Sequence, residues 1–139
     1  MNASNEFEFI PYGCQEITQS DIDSVIKVLK SSNLTQGPVV PKFEEAIAKK
    51  VNAKYSIAVN SATSALHLAC KALTLNKNDW LWTSPTSFVA SANCALYCGA
   101  KVDFVDINPL TGLISIEHLE DKLKKASILG KIPKILIVV

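Results

Sequence analysis

Tyr55-Ser56-Ile57-Ala58-Val59 is a short apolar run, and Asn60-Ser61-Ala62-Thr63-Ser64 turns out of it into a helical pattern that reaches Leu73. Five residues are too few for a helix, so the run reads as a strand. Working outward, the same alternation repeats. Trp80 to Thr83 predicts a strand and Phe88 to Tyr97 a helix. Lys101 to Val105 predicts a strand, Ile116 to about Lys125 a helix capped by Ser115, and Ile135 to Val139 a last strand. Strands and helices in strict alternation specify an α/β domain with a largely parallel sheet covered by helices.

Before this alternation come two helical patterns. Ser20 is expected to open the first, with Asp23 at the capping-box position and Ile22, Val25, Ile26 and Leu29 at helical spacing. The loop SSNLTQGP, Ser31 to Pro38, interrupts it with Gly37 and Pro38 as breakers. The second helix starts near Pro41, and its apolar stripe is Phe43, Ala46, Ile47 and Val51. The division expected is a helical segment over 1–54 and an α/β domain over 55–139.

Composition narrows the function. The 139 residues are 48% hydrophobic and 19% charged, which suits a core-forming chain of one domain. A net charge of +1 gives no general attraction to nucleic acid or to an acidic membrane surface. All 14 cationic side chains are lysine, so a bound anion must rely on backbone N–H groups, hydroxyls or lysine instead of the arginine fork. Cys14, Cys70, Cys94 and Cys98 show no CxxC spacing and no matching histidine pair, which points to buried thiols in a reducing compartment and to no metal. No apolar run reaches the roughly 20 residues of a membrane helix, and Met1 to Phe9 lacks the basic-then-apolar pattern of a leader. The location expected is cytoplasmic.

In open α/β sheets ligands gather beyond the carboxyl ends of the strands, which here means after Val59, Thr83 and Val105. The first such segment carries Ala62, Thr63 and Ser64 at a helix start, where unpaired N–H groups and two hydroxyls could cradle a phosphate. The same residue types also serve as an ordinary N-cap. The second, Ser84-Pro85-Thr86-Ser87-Phe88, sets an aromatic ring at the mouth of the next helix, able to stack on a flat heteroaromatic or to pack in the core. In the third, Asp106 is a candidate for an Asx turn. No GxGxxG or Walker-type loop is present, and His67 sits among apolar neighbours as a packed rather than a catalytic side chain.

Four stretches taken in order resemble the DegT/DnrJ family of sugar aminotransferases. They are Leu34-Thr35-Gln36-Gly37-Pro38 leading into Phe43-Glu44-Glu45-Ala46, Val59 to Leu68, Thr83 to Asn93, and Gly99 to Ile107. The wording of the first two is most similar to the pseudaminic-acid branch, whose members aminate C4 of a UDP-linked 4-keto-6-deoxy-hexosamine. The resemblance implies the large domain of a fold-type-I enzyme dependent on pyridoxal 5'-phosphate, active as a homodimer with glutamate as amino donor. It implies that Thr63, with Ala62 and Ser64, binds the cofactor phosphate, that Phe88 stacks on the pyridine ring, and that the loop around Thr35 lies near the sugar nucleotide.

The chain also departs from the family pattern. No lysine here sits in the family's Schiff-base context, and Asn78-Asp79-Trp80-Leu81-Trp82 replaces the usual glycine-acidic opening of its strand. The expectation is therefore an N-terminal fragment that is inactive alone, with Ile135 to Val139 as a central buried strand. Two other readings stay open: a fragment of a sugar dehydratase of the same fold, and a non-catalytic phosphate-binding module or remnant.

Overall fold

The computed structural model describes residue 11 and residues 13–139. The leader question posed by Met1 to Phe9 lies outside the described residues. The chain forms two compact units, one ending at Ala58 and one running from Val59 to Val139.

In the first unit, α1 spans Gln19–Leu29 and α2 spans Val39–Lys50. The cap of α1 is Thr18, not Ser20. Thr18 is extended, its hydroxyl accepts the Asp21 N–H, and its own N–H donates to the Asp21 carboxylate at 2.8 Å. The Thr18 N–H, and to a smaller degree the Thr18 hydroxyl donating to the same carboxylate oxygen at 2.7 Å, hold the Asp21 carboxyl below its ordinary value. Thr18-x-x-Asp21 and Ser20-x-x-Asp23 both satisfy the capping-box spacing. Ser20 loses because it already lies inside the helix, where its carbonyl accepts the Ser24 hydroxyl.

The turn into α2 depends on Gly37, where a Cβ would stand 2.8 Å from the Asn33 carbonyl oxygen. α2 then begins at Val39, two residues ahead of Pro41. Neither helix buries a side chain. The apolar stripes read from the sequence are present but face outward within this unit.

Residues 55–59 do not form the expected strand. They pair with no other segment among the described residues, and Tyr55 and Ile57 are exposed. Their backbone is anchored by Ala58 N–H, which donates to the Glu44 carboxylate at 2.8 Å. An apolar run becomes a strand only where another strand offers its N–H and C=O groups, and no described segment pairs with this one.

That sheet has three parallel strands in the order β2-β1-β3, with β1 at Trp80–Thr83, β2 at Lys101–Phe104 and β3 at Ile135–Ile137. Helix α3 (Ala62–Ala72) precedes β1, α4 (Ala90–Tyr97) joins β1 to β2, and α5 (Ile116–Leu129) joins β2 to β3. Successive strand residues point to opposite faces, and the core divides accordingly. Leu81 packs with Cys70, Leu75, Cys94, Ala95 and Ala100 beneath α3 and α4. Trp82 packs with Val105, Ile114 and Ala126 beneath α5.

Lys122 ties α5 to the sheet. It pairs with Asp103 at 2.7 Å and lies over the Trp82 ring. α5 runs four residues past the expected Lys125 and stops at Gly130, whose left-handed φ of 64° lets Lys131 N–H reach the Ala126 carbonyl. The expectation for Ile135 to Val139 also needs correction. The central strand is β1, flanked on both sides, whereas β3 pairs with β1 alone among the described strands and ends at Ile137.

Candidate functional site

α3 and α4 run side by side against one face of the sheet, with His67 meeting Tyr97 edge-on at 5.4 Å. Both helices oppose the strand direction, so both N-termini face the carboxyl edge of the sheet. At the first of them, Ser61 is the N-cap, extended at φ −163° and ψ 156°, and its hydroxyl accepts the Ser64 N–H at 3.1 Å. The Ser64 hydroxyl donates to Asn60 Oδ1 at 2.7 Å. The first intrahelical bond comes from Ala65 N–H to the Ser61 carbonyl. The N–H groups of Ala62 and Thr63 therefore lie ahead of the helical ladder, at the positive end of the helix dipole.

This arrangement divides three residues that looked alike in the sequence. Ala62 and Thr63 offer backbone donors, and Thr63, itself half-buried, adds a hydroxyl. Ser64 is held by Ser61 and Asn60. Sequence reasoning passed over Asn60 as a hydrogen-bonding partner, although an amide four residues before a serine at a helix start is a readable signal.

At the second edge segment, α4 begins at Ala90, so Phe88 precedes the helix instead of opening it. Its ring is 75% exposed, far from a core phenylalanine. Phe88 forms one wall of a cleft of about 170 Å³ between the ends of β1 and β2 and the start of α4. Thr83, Ser84, Ser87 and Ser91 are among the residues that line this cleft, and so is Phe104. None of residues 60–64 lines it, so Phe88 and the α3 start share an edge of the sheet but not one pocket.

At the third edge the Asx turn forms on Asn108, whose Oδ1 accepts from Leu110 and Thr111 N–H, and not on Asp106. Thr35 lies in the first unit, exposed in the loop between α1 and α2.

The cysteines divide in two. Cys70 and Cys94 are buried and Cys98 half-buried between α3 and α4, while Cys14 is exposed. Burial pushes the Cys70 thiol up to about 12, helped by its hydrogen bond to Cys94. A thiol held this far protonated is a packing element, not a nucleophile. Among the described residues no group of three or more His, Cys, Asp or Glu side chains could hold a metal ion. No described helix is long and apolar enough to cross a membrane.

The model of the DegT/DnrJ/EryC1/StrS aminotransferase family matches residues 15–139. The chain is 48% identical over 118 residues to the UDP-4-amino-4,6-dideoxy-N-acetyl-beta-L-altrosamine transaminase of Campylobacter jejuni, covering 85% of this chain and 31% of that protein. Among solved structures it superposes on Spr1654 of Streptococcus pneumoniae in its PLP form, with TM-score 0.76, 28% identity, and 81% and 29% of the two chains covered. It also superposes on Helicobacter pylori PseC, an aminotransferase involved in the biosynthesis of pseudoaminic acid. There the TM-score is 0.69 and the identity 32%, with 88% and 32% of the chains covered. The chain thus spans about a third of the length of these relatives. The fold class read from the sequence, the N-terminal part of a fold-type-I aminotransferase large domain, is the one found.

Proposed function

From a chain that belongs to the DegT/DnrJ/EryC1/StrS aminotransferase family, we propose that the carboxyl edge of its sheet seats pyridoxal 5'-phosphate for amination of a nucleotide-linked keto sugar. The family's cofactor is pyridoxal 5'-phosphate. Once bound, it supplies the electron sink for amino transfer. The observation that carries the reading is the start of α3, where Ala62 and Thr63 present two N–H donors outside the helical ladder. A phosphate dianion takes these two donors and the Thr63 hydroxyl without an arginine. Ser64 takes part only if its hydroxyl leaves Asn60. The exposed Phe88 ring, on the same edge, supplies a flat apolar surface for the pyridine.

The wider reading follows the relatives. The substrate is a UDP-linked 4-keto-6-deoxy sugar aminated at C4, as in pseudaminic-acid-type biosynthesis. Glutamate is the donor, the assembly a homodimer, and the location the cytoplasm, in keeping with four unpaired thiols. The loop carrying Thr35 contacts the sugar nucleotide. None of the chain's own lysines forms the covalent link to the cofactor, so the chain alone binds but does not transfer.

Equilibrium dialysis with pyridoxal 5'-phosphate and with pyridoxal tests the cradle. The phosphate ester is expected to bind more tightly, and Thr63→Ala to erase about tenfold of that preference, the scale of one hydrogen bond to a charged group. Equal binding of the two compounds would remove the cradle. Borohydride treatment of the loaded chain is expected to leave no stoichiometric covalent label. A stoichiometric label would show that one of its lysines does the chemistry.

A further inference from the structure

Trp80-Leu81-Trp82, within the stretch where the chain departs from the family pattern, takes no part in the cofactor seat. Alternation along β1 sends Trp80 and Trp82 to one face of the sheet, and the register sets Lys101 and Asp103 of β2 beside them. Helix α5 covers that face. Between helix and sheet lies a cavity of about 230 Å³. Trp80 opens β1 and Leu129 closes α5, so the cavity lies toward the amino edge of the sheet, away from the start of α3.

The lining combines apolar surface with unpaired positive charge. Trp82 is 2% and Ala126 5% exposed, so the half-buried Trp80 is the indole within reach of a ligand. Leu129 adds aliphatic surface. Three lysines and one aspartate line the cavity, in a chain whose net charge is only +1. Lys122 pairs with Asp103 at 2.7 Å, which cancels one charge of each sign. Lys125 and Lys131 are exposed and make no ion pair among the described residues. Lys101 brings a further cation, 5.5 Å from the centre of the Trp80 ring. The negative end of the α5 dipole lies close by, and the Gly130 and Lys131 N–H groups offset it by capping the Ser127 and Ala126 carbonyls.

We infer that this cavity binds a small aromatic anion, one ring carrying a carboxylate or a phosphate. The ring packs against Trp80 and Leu129, where aromatic contact and area removed from water supply affinity. The anionic group stays at the rim and is met by Lys125 and Lys131, whose flexible stems let their ammonium groups converge while still hydrated. Exposed ion pairs alone contribute little, so the ring and the charge are both needed. A cation is repelled by the same lysines. The volume corresponds to about eight waters at roughly 30 Å³ each, too little for a nucleotide sugar. The site goes beyond the amino-transfer reading and shares no residue with it.

Trp80 and Trp82 are the chain's two tryptophans, so intrinsic tryptophan fluorescence reports on this cavity. Titrations of the full chain, without pyridoxal 5'-phosphate, use phenyl phosphate and benzoate, with benzyl alcohol as ring without charge and inorganic phosphate as charge without ring. A saturable change is expected with an aromatic anion, at lower concentration than with either control. The tighter of phenyl phosphate and benzoate identifies the anionic group. Joint substitution Lys125→Ala and Lys131→Ala is expected to weaken that binding about tenfold, the scale of one hydrogen bond to a charged group. Lys124→Ala, whose lysine pairs with Asp121 outside the cavity, should leave it unchanged. No saturable change with either aromatic anion would overturn the proposal. So would benzyl alcohol binding as tightly, which would show an apolar crevice, or inorganic phosphate doing so, which would show a lysine patch. Full binding by the double variant would overturn it as well. With no cofactor in the titration, failure here leaves the cradle at α3 standing, and failure of the cradle leaves this site standing.

Discussion

The two units of this chain use the same raw material to different effect. α1 and α2 carry apolar stripes as regular as those of α3 and α5, and α1 carries a fuller cap than α3, with both halves of its capping box formed. Yet neither α1 nor α2 buries a residue within its own unit, while the second unit holds Leu81, Cys94 and Ala95 at 0% exposure. The difference lies in the sheet. Three parallel strands give helices on both faces a continuous apolar surface to cover. Two helices joined by a nine-residue loop, residues 30–38, enclose too little. Amphipathicity thus states what a helix needs, and only a neighbouring surface meets it.

The contrast can be broken most directly at β1. Leu81→Ala removes a fully buried side chain from the central strand and is expected to cost about 2–5 kcal/mol. Ile26→Ala in α1, where the side chain is half exposed, is expected to cost about 0.5 kcal/mol or less. Urea unfolding of both variants measures this. Similar losses would mean that the first unit has a core of its own.

A second test uses Cys70, which exists as a buried thiol only because α3 and α4 meet over the sheet. Its folded value of about 12 lies above the ordinary 9.0. The native state therefore holds this proton more tightly than the unfolded chain does. The contribution to stability is fully present below pH 9 and declines as pH rises toward about 12. Cys70→Ala should flatten that decline in urea titrations across this range, whereas Cys14→Ala, at an exposed position, should leave it intact. A slope that persists in Cys70→Ala would place the titration elsewhere.

The smallest expected effect compares the caps. Ser61→Ala and Thr18→Ala each remove a side chain that accepts a helix N–H, and each is expected to cost about 1 kcal/mol. Thermal melts should show a cooperative shift for Ser61→Ala, because α3 is packed on the sheet. For Thr18→Ala the loss should appear as fraying of α1, read as lower helical ellipticity before the main transition. A shared cooperative shift would mean that the two units melt together.

Much of the fold was legible in the residues. Leu81 and Trp82 in a four-residue apolar strand, the serine cap of α5, and the alternation from Trp80 onward all rest on local pattern, and all are present. The strand over 55–59 was not legible in that way. Its apolar residues satisfy the pattern of a strand, but hydrogen-bond partners are a property of other segments. Thr18 against Ser20 failed for a related reason. Both satisfy the same spacing, and the backbone dihedral that chooses between them is set by where the chain enters the helix.

At the site, the residue types, the edge of the sheet and the absence of arginine belong to the sequence itself, because they depend on composition and on the order of elements. Which donors remain available was decided in three dimensions. Ser64 is chemically as able a ligand as Thr63, but Ser61 and Asn60 occupy it. Thr83 reads as one more β-branched strand residue until the fold buries its hydroxyl without a partner among the described residues. Pattern assigns a residue to an element and a face, since these follow from periods of two and 3.6 residues. Whether a polar atom ends up satisfied depends on every segment that packs around it, and that is set only when the chain has folded.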